Sequence, residues 1–142
     1  MLKNRKFVAS NAAPSTLETG AGMKKILIID DNVDIADLLA MTLSLDGHVT
    51  LARYGGLAGL QAIADFDPDV ILLDVGMPGM DGYEVAACIR KDSQIRQPFL
   101  IAFTAWSSET CVAKAMLSGF NLHLKKTSSF DALRAAIIAS ER

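Results

Sequence analysis

Residues 70–85 read VILLDVGMPGMDGYEV. The first four are aliphatic with no polar alternation, which suits a strand covered on both faces better than one with a wet side. The run ends on Asp74. Gly76, Pro78, Gly79 and Gly82 then supply the chemistry of a tight loop whose carbonyls can face a metal, and Asp81 is placed to cap the helical segment that follows. Strand, carboxylate, loop and helix make half of a βαβ unit.

The chain repeats this half-unit on either side. Residues 26–29 and 99–103 are apolar blocks of the same kind. Weaker strand candidates are residues 48–52, after the Asp46-Gly47 stop signal, and residues 122–125, after Gly119. Between them lie helix candidates at 32–46, 56–66, 81–92, 108–118 and 128–140. The first has Ile35, Leu38, Leu39, Thr42 and Leu45 on its apolar stripe, and Ser128 with Asp131 is placed to cap the last. Cys88 and Cys111 fall within helices and read as small apolar residues. Five alternations of strand and helix predict an α/β domain, doubly wound, with a parallel sheet and helices on both faces.

Composition agrees with one such domain. The chain has 142 residues, 51% of them hydrophobic, which leaves no material for a second sizeable core. Residues 1–22 are rich in Ala, Ser, Thr and Asn, lack a sustained period, and are expected to be a flexible linker or extension; residues 23–142 form the domain. The lead-in holds Lys3, Arg5 and Lys6 against Glu18, leaving 11 basic and 15 acidic residues in the rest, a net of −4. A mildly acidic domain has no electrostatic footing for direct nucleic-acid binding. No apolar run reaches the length of a membrane span or of a signal-peptide core, and two cysteines outside any metal or disulfide spacing suit a reducing compartment. The cytoplasm is the expected location, without membrane contact.

In such a sheet ligands bind beyond the carboxyl ends of the strands. Asp30 and Asp31 follow the first strand and Asp74 the third, so three carboxylates share one edge. Their mutual repulsion is hard to explain as structure alone, and a hard divalent cation such as Mg²⁺ would relieve it. The plainer alternative is that Asp30 or Asp31 only caps the first helix. Thr104 ends the fourth strand and Lys126 follows the fifth. A hydroxyl and an ammonium beside carboxylates and a cation can hold the oxygens of a phosphoryl group.

Taken together, Asp30-Asp31 after ILII, the block around Asp74, Thr104 and Lys126 resemble, in order and spacing, the receiver domain of bacterial two-component response regulators over about residues 24–140. The resemblance implies a flavodoxin-like, CheY-like fold with five parallel strands in the order 2-1-3-4-5 and five helices. It implies that Asp74 is the phospho-acceptor, and that Asp30 or Asp31, Asp74 and the Gly76 carbonyl bind Mg²⁺. Thr104 and Lys126 would contact the phosphoryl group, and Thr104 and His123 would act as switch residues. The implied partners are a sensor histidine kinase or histidine phosphotransfer protein, with self-association through the face of the fourth helix, fifth strand and fifth helix. The wording of DVGMPGMDGYEVA and SGFNLHLKK is most similar to receivers of hybrid sensor kinases.

The sequence departs from the family at three points. Thr127 stands where the family has a proline after its lysine, which leaves Lys125 as the alternative to Lys126. His123 replaces an aromatic switch residue, and reads equally well as a partly buried edge-strand histidine. The stretch GHVTLARYG is one residue short, which leaves the second strand's register open. The alternative function is a degenerate receiver acting only as an interaction module. An aspartyl-phosphate hydrolase would need a second Asp where Gly76 stands, so the expectation is a signalling phospho-acceptor that catalyses only its own phosphorylation and dephosphorylation. No output domain follows within the 142 residues, as expected of a stand-alone receiver or one cut from a longer protein.

Overall fold

A computed structural model describes residues 22–141 of the chain. The expected lead-in thus lies, apart from Gly22, outside the described residues. In chain order the elements are β1 (Lys25–Ile29), α1 (Val33–Leu45), β2 (Val49–Arg53), α2 (Gly56–Phe66), β3 (Val70–Leu73), α3 (Gly82–Lys91), β4 (Phe99–Thr104), α4 (Glu109–Ser118), β5 (Leu122–Lys125) and α5 (Phe130–Ala139). The strands form one sheet in the order β2-β1-β3-β4-β5, every neighbouring pair parallel.

Successive residues of a strand point to opposite faces, and the two cores follow that rule. Leu27, Ile29, Ile71, Leu73, Leu100 and Ala102 pack with Ile63 of α2, Val85 and Ile89 of α3 and Ala115 of α4. Ile26, Ile28, Val70, Leu72, Ile101 and Phe103 pack on the other side with Ala36, Leu39 and Leu43 of α1 and Leu133 and Ile137 of α5. This two-sided burial is the reason that the central strands lack polar alternation.

Three local expectations need correction. The stripe of α1 that meets the sheet is Ala36, Leu39 and Leu43, while Leu38 and Leu45 are 50% and 83% exposed. Leu39 belongs to both stripes and Ile35 packs partly buried against the same core, so the buried face is rotated toward Ala36 and Leu43, and Leu38 and Leu45 are the expected residues that turn outward. The cap of α1 is Asn32, which accepts from the Ile35 N–H at 3.1 Å, so neither Asp30 nor Asp31 is used for that purpose. The cap of α5 is Ser129, accepting from the Ala132 N–H at 3.1 Å, in place of Ser128 and Asp131. Asp81 does cap α3, in a reciprocal box with Glu84. The register of β2 pairs Val49 with Lys25.

Gly82 fixes how α3 meets the loop after β3. A Cβ there would collide with the Asp74 carbonyl oxygen and stand 2.6 Å from the Val75 Cα, both backbone atoms that cannot rotate away. Gly82→Ala is expected to lower stability by about 1–3 kcal/mol, as overpacking does, read as a fall in the urea midpoint at unchanged m-value. An unchanged midpoint would mean that the loop yields freely.

The opposite end of the sheet is tied by Lys24. Its Nζ donates to the carbonyls of Ile137 and Ser140 and to Ser140 Oγ, closing the last turn of α5. Its N–H donates to His48 Nδ1 at 3.0 Å, which requires that nitrogen to be unprotonated. Burial holds His48 below its ordinary 6.5; the charge of Lys24 acts in the same direction and that of Asp46 opposes it. The unfolded chain therefore takes up this proton first, and the contribution of His48 is complete above pH 6.5 and is lost as pH falls through the lowered native value. Below pH 6.5 the urea midpoint of the wild type should fall more steeply than that of His48→Gln; parallel curves would remove His48 as the cause.

Candidate functional site

The register of the sheet brings the polar residues together. Ile29 pairs with Leu73, so Asp30 and Asp74 emerge side by side from the two central strands. Thr104 pairs with Lys125 at the end of β4, so Lys126 follows one step beyond it. Backbone hydrogen bonds extend the ladder past the strand ends: Asp30 N–H to Arg53 O at 3.1 Å, Asp74 N–H to Ile29 O at 3.0 Å, and Lys126 N–H to Thr104 O at 3.0 Å. Each side chain thus stands on a fixed backbone, which is what a site needing sub-ångström placement requires.

Lys126 Nζ lies 2.7 Å from Asp30 Oδ2 and 3.2 Å from Asp74 Oδ2. Lys126 rather than Lys125 therefore reaches the carboxylates, and with no cis peptide bond among the described residues it does so across a trans Lys126-Thr127 bond. Asp30 and Asp74 are 2% and 7% exposed, Thr104 is buried at 1%, and Asp31 is exposed. The remaining oxygens are committed locally: Asp30 Oδ1 accepts from the Asn32 N–H at 2.9 Å and Asp74 Oδ1 from the Gly76 N–H at 3.2 Å.

The electrostatics follow from burial. Loss of water pushes the Asp30 carboxyl above the usual carboxylate value, helped by the charge of Asp74, against the hydrogen bonds from Lys126 and Asn32 that pull it down. Burial alone would lower the Lys126 ammonium, but the hydrogen bond to Asp30 and the charges of Asp74 and Asp30 outweigh it and hold it above its ordinary value. Asp30, Asp31 and Asp74 each offer a carboxylate oxygen within 4.8 Å of the others. One ammonium does not neutralise three carboxylates, two of them buried, and an all-oxygen donor set of this kind fits a hard dication.

Trp106 and His123, far apart in sequence, meet beside the site. The Trp106 indole lies over Gly76, close enough that a Cβ at that position would stand 3.2 Å from its Cε2. Trp106 N–H donates to Thr104 Oγ1 at 3.2 Å, and its carbonyl oxygen is 2.9 Å from His123 Nε2. The positions of Gly76 and Trp106, two residues past Asp74 and Thr104 respectively, mark both from sequence as flanking Asp74; the contacts that join them to each other and to His123 carry no sequence signal.

The response regulator receiver domain profile matches residues 26–138. The chain belongs to that receiver family. It is 36% identical over 118 residues to YrkP of Bacillus subtilis (strain 168), an uncharacterized transcriptional regulatory protein, a match that covers 83% of this chain and 49% of YrkP. The receiver thus spans about half the length of this relative. Among solved structures it is similar to the chemotaxis protein CheY4 of Vibrio cholerae, with a TM-score of 0.76 and 26% identity over 82% of this chain and 97% of that one. It is also similar to the receiver domain of the Francisella response regulator 1452, with a TM-score of 0.73 and 28% identity over 80% and 93% of the two chains. This receiver therefore serves two-component signalling and has the CheY-like fold. Among its described residues no helix is long and apolar enough to cross a membrane.

Proposed function

We propose that Asp74 accepts a phosphoryl group from a phosphohistidine on a sensor kinase or phosphotransfer protein. The observation that carries this reading is the Lys126 ammonium bridging Asp30 and Asp74 at the carboxyl edge of the sheet. Asp30 or Asp31, Asp74 and the Gly76 carbonyl would hold Mg²⁺, which when bound supplies positive charge to the phosphoryl oxygens.

The protein's own groups perform the positioning. Asp74 Oδ2 attacks phosphorus as the bond from phosphorus to the histidine nitrogen breaks and its electron pair stays with the imidazole. The Gly76 N–H holds Asp74 Oδ1, which leaves Oδ2 as the reacting oxygen. Lys126 offers its third N–H, the one not directed at Asp30 or Asp74, to the transferred group. The Thr104 hydroxyl accepts from Trp106 N–H through one lone pair, so its own O–H stays available to a phosphoryl oxygen. Such transfer depends on placement and charge neutralisation rather than on a general acid.

Two surfaces support protein partners. A groove lined by Ile35, Leu38, Phe103, Lys126, Phe130 and Leu133 opens beside Lys126 and gives a donor protein an apolar footing next to the acceptor. On the other side α4 exposes Met116 and Leu117, an apolar pair for a reader of the phosphorylated state or a second copy of the chain. The chain's turnover is confined to its own aspartyl phosphate, and the cytoplasm, where kinase domains and nucleotide reside, is its working compartment.

The test is incubation with acetyl phosphate, and separately with a phosphorylated histidine donor, in Mg²⁺ and in chelator. A mass increase of one phosphate that requires Mg²⁺ is expected, with a change in the fluorescence of the single tryptophan. Failure of both donors to add mass would overturn the reading.

A further inference from the structure

The turn from β2 into α2, residues 53–56, touches both halves of the acidic site. The Arg53 carbonyl accepts from the Asp30 N–H at 3.1 Å, which fixes the backbone under the first carboxylate. Three residues later Gly56 lies against the loop after β3: a Cβ there would stand 2.9 Å from the Met80 carbonyl oxygen and 2.8 Å from Val85 Cγ2. That loop follows directly from Asp74 and carries Gly76. The turn therefore brackets the site between β1 and the acceptor loop, with few side-chain ties of its own. α2 begins after Gly55 with no side-chain cap, and the Arg53 guanidinium turns back to the neighbouring Ala52 carbonyl at 2.8 Å. The side-chain tie to another element is Tyr54, whose hydroxyl donates to Asp37 Oδ1 on α1 at 2.6 Å. That bond holds the phenol above its ordinary 10.0, so the donor proton stays in place through the neutral range.

We propose that Tyr54 is a positioning residue: anchored on Asp37, it braces this turn so that Asp30 and the acceptor loop keep the spacing that a dication needs. The inference rests on the reading that Asp30 or Asp31, Asp74 and the Gly76 carbonyl hold Mg²⁺. This cation demands near-ideal octahedral geometry, so a donor set whose two halves can drift apart binds it only after paying for their alignment. The brace aligns them beforehand. Asp37 is not one of the three clustered carboxylates, and Tyr54 is 44% exposed, so deleting its hydroxyl removes neither a ligand nor core packing.

The test compares wild type with Tyr54→Phe, which lacks the hydroxyl, Asp37→Leu, which lacks the acceptor, and Asp37→Asn, whose amide oxygen accepts the same bond without the charge. Hydrogen exchange of the Asp30 amide, followed by NMR in metal-free protein, reports the brace without any cation. Exchange should quicken in Tyr54→Phe and Asp37→Leu and stay at the wild-type rate in Asp37→Asn. Calorimetric titration with Mg²⁺ then reports the site. Its Kd should rise by about two- to tenfold in Tyr54→Phe and Asp37→Leu, the factor that one hydrogen bond is worth, and stay unchanged in Asp37→Asn. Unchanged exchange in Tyr54→Phe would overturn the brace. Faster exchange with an unchanged Kd would overturn its link to the cation. A Kd raised as much in Asp37→Asn as in Asp37→Leu would show that the carboxylate's charge, and not the bond, draws the cation, and would overturn the positioning role. A wild type that binds no Mg²⁺ would overturn the reading of the cation site and the link with it, while exchange would still decide the brace.

Discussion

Asp74→Asn is expected to take up no phosphate from any donor while folding as the wild type does. The amide oxygen shares its lone pair with the amide nitrogen and is not a nucleophile for phosphorus at neutral pH, so the mass increase should vanish rather than diminish. The fold should hold because the substitution preserves shape and most of the contacts. The carbonyl oxygen of Asn can accept from the Gly76 N–H, and Lys126 keeps the shorter of its two ion pairs, 2.7 Å to Asp30. One carboxylate fewer beside Asp30 also removes a repulsion that burial makes expensive. Lost attraction to Lys126 and lost repulsion from Asp30 oppose each other, and the net stability change should stay within about 1 kcal/mol. Persistence of the mass increase in a folded Asp74→Asn would move the acceptor to another carboxylate, and loss of the cooperative unfolding transition in the variant would show that Asp74 is needed for structure.

The features that could be read from sequence are those decided by local chemistry. Residues 26–29 and 70–73 are aliphatic throughout because both faces of β1 and β3 are covered, and that pattern alone gives a parallel sheet. Once β1 and β3 are adjacent and in register, the residues following them must be neighbours, so the meeting of Asp30 and Asp74 needed no more than strand ends. The face of α1 was not legible: residues 35, 38 and 42 and residues 36, 39 and 43 have the same spacing, and only the distance of closest approach to the sheet selects the set containing Ala36. Ser128 and Ser129 offer the same cap, and the path of the chain after Lys126 chooses between them. The link from Gly76 through Trp106 to His123 joins the segments that follow β3 and β4 to a residue within β5, and no spacing within one segment could announce it.

Lys126→Met should damage both stability and transfer, because the ammonium serves the resting site as well as the reaction. Methionine fills the stem's volume and removes the charge, leaving Asp30 and Asp74 facing each other with side chains only 3% and 9% exposed. Breaking a buried pair from one side strands a charge. Lys126 itself keeps 19% of its side-chain exposure, so the loss should be about 2–4 kcal/mol, somewhat less than for a fully buried pair. Part of that loss should return when Mg²⁺ is added, since a dication held by the same carboxylates substitutes for the missing ammonium; the gap in urea midpoint between wild type and Lys126→Met is expected to narrow with Mg²⁺. Transfer should not recover in parallel. The phosphoryl oxygens lose a donor fixed in place before the reaction, a defect worth about 10²–10³ in rate at comparable sites. Stability and transfer therefore separate under Mg²⁺, which a merely structural lysine would not produce. Wild-type transfer rates in Lys126→Met with Mg²⁺ present would confine Lys126 to the resting fold and leave Asp74 and the cation to carry the chemistry.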